Sequence, residues 1–148
     1  MMTIKRIIMA LLILILVIGQ LFVKKDNTAS YESVINFEQQ VQLPEQVKTI
    51  MRTHCYDCHS NHTNYPWYAS VGVVNFLLND HIEEGKEHLN FSTWNSYSSK
   101  KQLHKLAEVY EEVEEGEMPL KMYRIIHGGL SSNEKEILKS WGLKYKEH

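Results

Sequence analysis

The sequence predicts an all-α fold of four or five short helices behind an apolar N-terminal segment. Apolar residues recur at the helical spacing of three and four positions in four separate stretches of the body. Alternating strand patterns are nearly absent, and the chain has neither an internal repeat nor a low-complexity segment. The N-terminal apolar run differs from these amphipathic stretches and predicts a separate element.

The N-terminal segment, residues 1–23, is expected to be a membrane helix. Its apolar run extends from Ile7 to Val23 and is interrupted only by Gly19 and Gln20. That length is close to the minimum that spans a bilayer and slightly long for the apolar core of a signal peptide. Because no small-x-small cleavage site follows the run, we expect an uncleaved anchor; a cleaved export signal and a buried core helix are the alternatives.

The charges that flank this run predict its orientation. Lys5 and Arg6, together with the amino terminus, slightly outweigh Lys24 and Lys25 on the other side. The positive-inside rule then predicts a single-pass protein of the inner (cytoplasmic) membrane, with its body on the periplasmic, extracytoplasmic side.

The rest of the chain is divided into a linker, residues 24–42, and a body, residues 43–148. The linker shows no strong period. The body, about a hundred residues, buries only a modest core and would gain stability from a cofactor or a crosslink. The net charge of -2 and the pI near 6.4 argue against a polyanion-binding surface, so nucleic acid is not an expected partner.

Two helices are predicted in the first half of the body. The first covers residues 43–58, and one side of it carries Val47, Ile50, Met51, His54, Cys55 and Cys58. The second covers residues 71–84, with Gly85 as its stop signal. Its expected inward residues are Val71, Val74, Leu77, Leu78 and Ile82.

Two further helices are predicted in the second half. One is expected to begin at a Ser98 or Ser99 cap and to bury Leu103, Leu106, Ala107, Tyr110 and Val113. The last follows a capping box of Ser131 and Glu134 and contains Ile137, Leu138 and Trp141. Between them, Gly116 and Pro119 break the chain around Met118, with one helical turn expected over residues 120–127.

The motif "HCYDCHSNH", His54 to His62, contains both cysteines of the chain. Two cysteines at i and i+3 followed by histidine are the pattern for attachment of c-type haem. A helical entry brings both sulfurs to one side, where each forms a thioether with one porphyrin vinyl group, and the next imidazole meets the iron. We therefore predict one covalently attached haem c, with Cys55 and Cys58 as the thioether residues and His59 as the proximal iron ligand. Attachment of this type takes place outside the cytoplasm, in agreement with the export segment.

Three other interpretations of the motif remain open at this point. Zinc needs a closed tetrahedron, which Cys55 and Cys58 with two of His54, His59 and His62 would supply, although such ligands are normally spread further along the chain. A thioredoxin-like dithiol needs a preceding strand, and none is predicted here. A structural disulfide suits an oxidising compartment but gives His59 no role.

A second iron ligand is expected from Met118 in "GEMPL". A thioether held on a loop beside Pro119 would close the site and raise the reduction potential. Its strongest rival is His127, next to Gly128 and Gly129, and ligation by His127 would give a lower potential. The other rivals are Met122, His81, His88 and His104. His54 and His62 are expected to be exposed polar residues.

Two groups of residues allow a structural and a functional interpretation. Tyr65, Trp67, Tyr68, Trp94 and Trp141 either wall a haem pocket or pack in the core. The acidic run "EEVEEGE", residues 111–117, is a solvated face, or it lies beside the iron or serves a cationic partner, since acid opposes the dipole at a helix C-terminus.

The stretches "CYDCHSNHTNYPWYA", "HIEEGKEHLNFSTW", "EEVEEGEMPL" and "LSSNEKEILKSW" resemble the bacterial haem-binding domain family, whose members are small, membrane-anchored, cytochrome-c-like proteins with a CxxCH motif. The resemblance covers residues 43–143 in order and spacing. It implies a cytochrome-c-like bundle around one haem, attachment through Cys55 and Cys58, His59 as the proximal ligand and, less specifically, Met118 as the distal one.

The expected function is one-electron transfer by a monohaem c-type cytochrome outside the cytoplasm. With both iron faces closed, no catalytic residue and no small-molecule substrate are expected, and the partners are the membrane and redox proteins. A haem enzyme or gas sensor with an open distal site is the first alternative, for which Arg124 and His127 would imitate a peroxidase pair. A non-catalytic haem subunit of a larger membrane complex is the second.

Overall fold

The computed structural model describes residues 3–146, so residues 1, 2, 147 and 148 of the predicted segments lie outside the described residues. Within that range the chain is helical, and its only β interaction is an isolated bridge between Thr28 and His62. This confirms the all-α prediction. The helices are α1 (Ile4–Gly19), α2 (Ile35–Gln40), α3 (Glu45–His54), α4 (Tyr56–His59), α5 (Gly72–His88), α6 (Ser99–Glu115), α7 (Lys121–His127) and α8 (Ser132–Lys146). Short 3₁₀ turns cover Gln20–Phe22, Tyr31–Val34, Trp67–Ser70 and Phe91–Ser96.

The predicted helices appear as α3, α5, α6 and α8, and the predicted helical turn appears as α7. The predicted terminal signals of α6 and α8 are confirmed. The Ser98 hydroxyl accepts from the amide of Lys101, and Ser131 and Glu134 exchange the two hydrogen bonds of a capping box. Gly116 ends α6 in the left-handed conformation, with φ of 78°. The first predicted helix is divided at Cys55 into α3 and the single turn α4.

The expectation that residues 24–42 form a linker is wrong. Val34 and Phe37 are completely buried, and the Phe37 ring lies 4.4 Å from Phe91 and 4.9 Å from Trp94 between ring centroids. The buried Glu38 carboxylate accepts two hydrogen bonds from Arg52 of α3. The segment is built from one 3₁₀ turn and the short helix α2, which are too brief to show a hydrophobic period.

Residues of this segment also hold the loop that follows α4. The side-chain amide of Asn27 donates 2.8 Å hydrogen bonds to Ser60 O and Thr63 Oγ1. The amide oxygen of Asn27 accepts from Lys86 Nζ of α5 at 2.8 Å. Asn27 is buried, so these bonds are shielded from water. The segment therefore belongs to the body, and through Asn27 it connects the loop after α4 with α5.

Three predictions for α5 are wrong. It continues three residues past Gly85, which is buried inside the helix and is not its stop signal. Val74 and Leu77, expected to point inward, are exposed, while Ile82 is buried as expected. The buried face of α5 contains the polar Asn75 in addition to Ile82 and Gly85, so hydrophobic spacing alone assigned the wrong side. Leu103 of α6 is likewise exposed, although Leu106 and Val113 are buried as predicted.

Helices α6 and α8 pack closely against one another. A Cβ atom on Gly142 of α8 would lie 2.9 Å from the Cβ atom of Tyr110, so glycine permits this approach. Lys139 and Lys146 of α8 lie 2.7 and 3.6 Å from the carboxylates of Glu114 and Glu111. The cationic partner of the acidic run is therefore α8 of the same chain, which offsets the unfavourable charge at the C-terminus of α6.

Helix α1 meets the body at the start of α5. A Cβ atom on Gly72 would collide with the carbonyl of Gly19. The Gln20 side chain, with its amide oriented to satisfy both neighbours, donates to Ser70 O and accepts from Gly72 N. Together with the following 3₁₀ turn, α1 forms a helix of 19 residues, Ile4–Phe22, that is long and apolar enough to cross a membrane. A signal sequence meets the same criteria.

Candidate functional site

A mainly apolar cavity of about 390 Å³ lies between α3–α4, α5, α6 and the loop that joins α6 to α7. Its wall brings together four of the residues predicted for the site: Cys55, Cys58, His59 and Met118. The first three are adjacent in sequence, whereas Met118 is brought to them by the fold. Cavities of this size that are mainly apolar and have a few polar groups are typical of cofactor sites.

The two cysteines are free thiols that share one wall of the cavity. The α-helical hydrogen bonds around them, from Cys55 N to Met51 O and from His59 N to Cys55 O, are both 2.9 Å long. Burial raises the pKa of Cys55 to about 12, with a further contribution from Cys58, and burial raises that of Cys58 to about 11. Thioredoxin-like dithiols need a lowered thiol pKa, so this environment argues against a redox-active pair.

The zinc interpretation has no geometric support in the part of the chain that the structure describes. No three side chains of His, Cys, Asp or Glu within residues 3–146 converge as metal ligands would. His62 is directed elsewhere, since its Nδ1 lies 2.7 Å from the carbonyl of Ala29. Of the three histidines of the motif, His54 and His59 line the cavity together with Cys55 and Cys58.

One ring nitrogen of His59, Nδ1, makes hydrogen bonds, and the other, Nε2, is free for metal coordination. Its Nδ1 lies 2.9 Å from Gly85 O and 3.0 Å from Leu89 O. Because carbonyl oxygens only accept hydrogen bonds, we assign the proton to Nδ1, which leaves a lone pair on Nε2. Burial lowers the pKa of His59, which keeps the imidazole neutral. A neutral imidazole anchored through Nδ1 is the usual arrangement of a histidine that ligates a metal.

Gly85 makes this arrangement possible. A Cβ atom at this position would lie 2.9 Å from Cys58 O and 3.3 Å from Cys58 Cβ. The backbone of α5 therefore approaches α4 closely enough for the carbonyls of Gly85 and Leu89 to reach His59. Glycine at position 85 therefore meets a packing requirement of the site and does not end the helix.

Met118 reaches the cavity through the C-terminal turn of α6. The amides of Gly116, Glu117 and Met118 all donate to the carbonyl of Glu112, at 3.0 to 3.1 Å. This turn folds the loop back over the end of the helix, and the following Pro119 is buried. Glu112 itself also lines the cavity, so one carboxylate of the acidic run lies at the site.

His127 is not among the residues that line the cavity. It is exposed, its Nε2 contacts the Tyr68 hydroxyl, and its ring stacks on Tyr123 at 4.5 Å. Arg124 is also outside the cavity wall, so the pair proposed to imitate a peroxidase is not directed into it. Met122 and His104 are exposed and lie outside the wall as well.

Several residues of the cavity were not predicted from the sequence. His54, expected to be exposed, has a side chain only 9% exposed, lies 3.7 Å from Glu134 and lines the cavity. His81 and His88, considered as rival ligands, contribute from the α5 side. The aromatic residues of the wall are Phe91 and Tyr123, and none of the five expected aromatics takes part. Of those five, Trp94 and Trp141 are core residues, whereas Trp67 is 83% exposed.

The residues present fit a haem of the predicted type. Two thiols without other partners, a neutral histidine with its Nε2 uncommitted and a methionine all line one apolar cavity. The fit depends on donor chemistry: thioether formation needs free thiols, and iron coordination needs an imidazole nitrogen without a proton.

The comparison with protein families agrees with this assignment. A family described as haem-binding domain matches residues 13–144. The match includes part of α1, residues 24–42 and every residue of the cavity wall. Neither the comparison with curated proteins nor that with solved structures gives a match.

Proposed function

The chain belongs to the haem-binding domain family, and we propose that it is a monohaem c-type cytochrome that transfers single electrons outside the cytoplasm. The observation that carries this proposal is His59, whose Nδ1 is bound to two carbonyls in a cavity shared with both cysteines. A histidine of this kind directly after a CxxC pair supports covalent haem attachment rather than loose binding.

In the proposed site, Cys55 and Cys58 hold the haem and His59 ligates its iron. Each thiol S–H could add across one vinyl group, which would form a carbon–sulfur bond at each cysteine without loss of any group. Gly85 O and Leu89 O keep the His59 ring oriented, and their hydrogen bonds increase the basicity of Nε2. Bound haem supplies an iron that alternates between the ferrous and ferric states and so carries one electron.

Met118 is proposed as the second residue that would hold the iron. Its loop is fixed by three backbone amides that donate to Glu112 O. Of the two leading candidates, Met118 and His127, Met118 lines the cavity and His127 does not. A methionine there leaves no iron position for a small-molecule substrate, so we propose an electron carrier rather than an enzyme. Glu108 and Glu112, which also line the cavity, would favour the ferric state and lower the potential modestly.

We further propose that α1 is a single-pass anchor in the inner membrane, with the body on the extracytoplasmic side. The length and hydropathy of Ile4–Phe22 and the charges of Lys5 and Arg6 support this. The expected partners are the membrane and redox proteins that donate or accept the electron.

The attachment is tested by producing the full chain in a host that exports and attaches c-type haem. The pyridine haemochrome spectrum should be that of haem bound by two thioethers. It should disappear in the Cys55→Ser/Cys58→Ser variant, while Ser132→Ala, an exposed change of similar size, should leave it unchanged. Bound zinc without haem in the wild type would contradict the proposal.

The axial assignment is tested separately in the oxidised protein. The weak red charge-transfer band of iron bound to methionine sulfur should be present and should vanish in Met118→Ala. The control is Met122→Ala, because Met122 is exposed and lies outside the cavity wall. Ready binding of carbon monoxide to the reduced wild type would show an open site and would favour a sensor or enzyme.

A further inference from the structure

We infer that the first two turns of α5 and the preceding residue Trp67 form a second membrane contact, embedded in the interfacial region of the bilayer beside α1. This inference rests on the proposed role of α1 as the membrane anchor. We call the surface formed by Trp67, Val73, Phe76 and Leu77 the juxtamembrane patch.

The juxtamembrane patch is apolar and exposed. Phe76 is 71% exposed and Trp67 is 83% exposed, and Val73 and Leu77 are also exposed. On α5, Val73, Phe76 and Leu77 follow one another at helical spacing and so form one stripe. Three large apolar side chains in one exposed stripe, with Trp67 exposed in the 3₁₀ turn that packs against α5, mark an interaction surface.

The exposed side of α5 changes character along the helix. All its exposed residues before Leu78 are apolar, and those after it are polar or charged: Asp80, Glu83, Glu84, Glu87 and His88. The apolar part extends from Gly72 to Leu77, which is about 8 Å of helix at 1.5 Å per residue. Only the end of α5 that meets α1 therefore offers an apolar surface to lipid.

The joint between α1 and α5 places this apolar end at the level of the membrane surface. The 16 residues of α1 and the three of the 3₁₀ turn measure about 30 Å, the thickness of the hydrocarbon core. Gly19, close to the outer end of this span, is in direct contact with Gly72. The first turn of α5 therefore lies at the outer boundary of the hydrocarbon region.

Hydrogen bonds of polar side chains stabilise the contact between α5 and the chain that follows α1. Asn75, which is completely buried, accepts from Lys24 N at 2.7 Å and donates to Lys24 O at 2.6 Å. Lys25 Nζ donates to Ser70 Oγ at 2.8 Å, in the turn that carries Trp67. These hydrogen bonds attach residues 24 and 25 to the start of α5, so the juxtamembrane patch stays next to the end of α1.

The chemistry of the juxtamembrane patch fits a lipid surface better than a protein. Tryptophan is enriched at the boundary between acyl chains and headgroups, where its ring is apolar and its N–H remains hydrated. Lys24 and Lys25 are exposed beside the patch and can approach anionic headgroups. The apolar surface of α1 continues directly into the patch, so one lipid environment covers both.

The inference is tested by depth-dependent fluorescence quenching in the full chain with haem attached. Single cysteines are introduced as Phe76→Cys, Leu12→Cys and Glu87→Cys and labelled with an NBD fluorophore. Each protein is reconstituted into phosphatidylethanolamine–phosphatidylglycerol vesicles with and without doxyl-labelled lipid. The intensity ratio between the two vesicle types cancels quenching by haem, and one label per chain shows that the native cysteines are blocked.

Leu12 lies in the middle of α1, and Glu87 is exposed at the far end of α5 from the joint. We expect lipid quenching at position 76 to be at least about threefold greater than at position 87, with strong quenching at position 12. Quenching at 12 without quenching at 76 would overturn this inference and leave the anchor in place. Absence of quenching at position 12 would instead refute the anchor and, with it, this inference.

Quenching by aqueous iodide tests whether protein, instead of lipid, covers the juxtamembrane patch. Aqueous iodide should quench the label at position 87 and not the label at 76. Protection from both iodide and doxyl lipid at 76 would show that protein covers the juxtamembrane patch and would overturn the inference. Val73→Cys gives a second position in the same stripe and should behave as Phe76→Cys does.

Discussion

Replacement of Phe37 by alanine tests whether residues 24–42 belong to the folded body. Phe37 is completely buried and lies in aromatic contact with Phe91 and Trp94. Phe91 lines the cavity, and its ring centroid is 6.5 Å from that of His59. The side chain therefore connects a segment that sequence patterns suggest is a tether with the haem site itself.

The expected cost of Phe37→Ala is large. Removal of a buried phenylalanine typically costs about 3–5 kcal/mol, and two aromatic contacts are lost here, so we expect about 4 kcal/mol. For a domain of this size, each kcal/mol lowers the melting temperature by about 3–6 °C, which gives a decrease of roughly 12–24 °C. In an unpacked linker the same substitution would change the stability by less than about 0.5 kcal/mol.

The assay is thermal unfolding of the haem-loaded full chain in detergent micelles, followed by far-UV circular dichroism and by Soret absorbance. Gln39→Ala is the matched control, because Gln39 lies on the same short helix and is exposed. A melting temperature for Phe37→Ala within about 2 °C of that of Gln39→Ala would refute the reasoning, since it would mean that α2 does not support the core.

Three further predictions concern the α4–α5 contact, the α1–α5 joint and the start of α8. Gly85→Val should destabilise the protein by about 2 kcal/mol or more, because its side chain would collide with the Cys58 carbonyl, whereas exposed Glu87→Val should have little effect; equal melting temperatures would contradict this. Asn75→Leu should cost about 1–3 kcal/mol by denaturant unfolding, since the backbone N–H of Lys24 loses its partner and Lys24 O keeps only the side-chain amide of Asn79. An unchanged midpoint would show that these hydrogen bonds do not stabilise the joint. Ser131→Ala should cost about 1 kcal/mol near neutral pH. The Ser131 hydroxyl lowers the pKa of Glu134, so the ionised carboxylate is the stabilised form: its contribution is present above the ordinary glutamate pKa and is lost as the pH falls through the lowered pKa. The difference between Ser131→Ala and wild type should therefore shrink in acid, and a difference that grew there would contradict the assignment.

Signals that depend on neighbouring residues were predictable from the sequence. The Ser98 cap, the Ser131–Glu134 capping box and the Gly116 terminus involve groups within a few residues, and all are present. The CxxCH motif is local in the same sense, and its cysteines and histidine share one cavity wall. Met118 was identifiable because a methionine beside Gly116 and Pro119 marks a loop.

Features that depend on packing between distant segments were not predictable. A glycine that ends a helix and a glycine that allows close helix packing look alike in a sequence. Only the position of α4 shows that Gly85 allows close contact with Cys58. The orientation of α5 is set by Asn75, a polar residue that a hydrophobic pattern assigns to the surface. Phe91 enters the cavity wall from a short 3₁₀ turn, whose direction has no periodic signal.

The length of α5 determines the distance between the end of α1 and the CxxCH motif. Gly72 touches the last turn of the proposed anchor, and Gly85, 13 residues later (85 minus 72), touches Cys58 of the proposed haem attachment motif. At 1.5 Å per residue, this separation sets the haem motif no more than about 20 Å above the joint, whatever the tilt of the helix. If the chain is the membrane-anchored electron carrier proposed above, its redox partner would have to present its own centre close to the membrane, within that height. Lengthening α5 by whole turns would raise the haem towards taller partners without altering the residues that bind it.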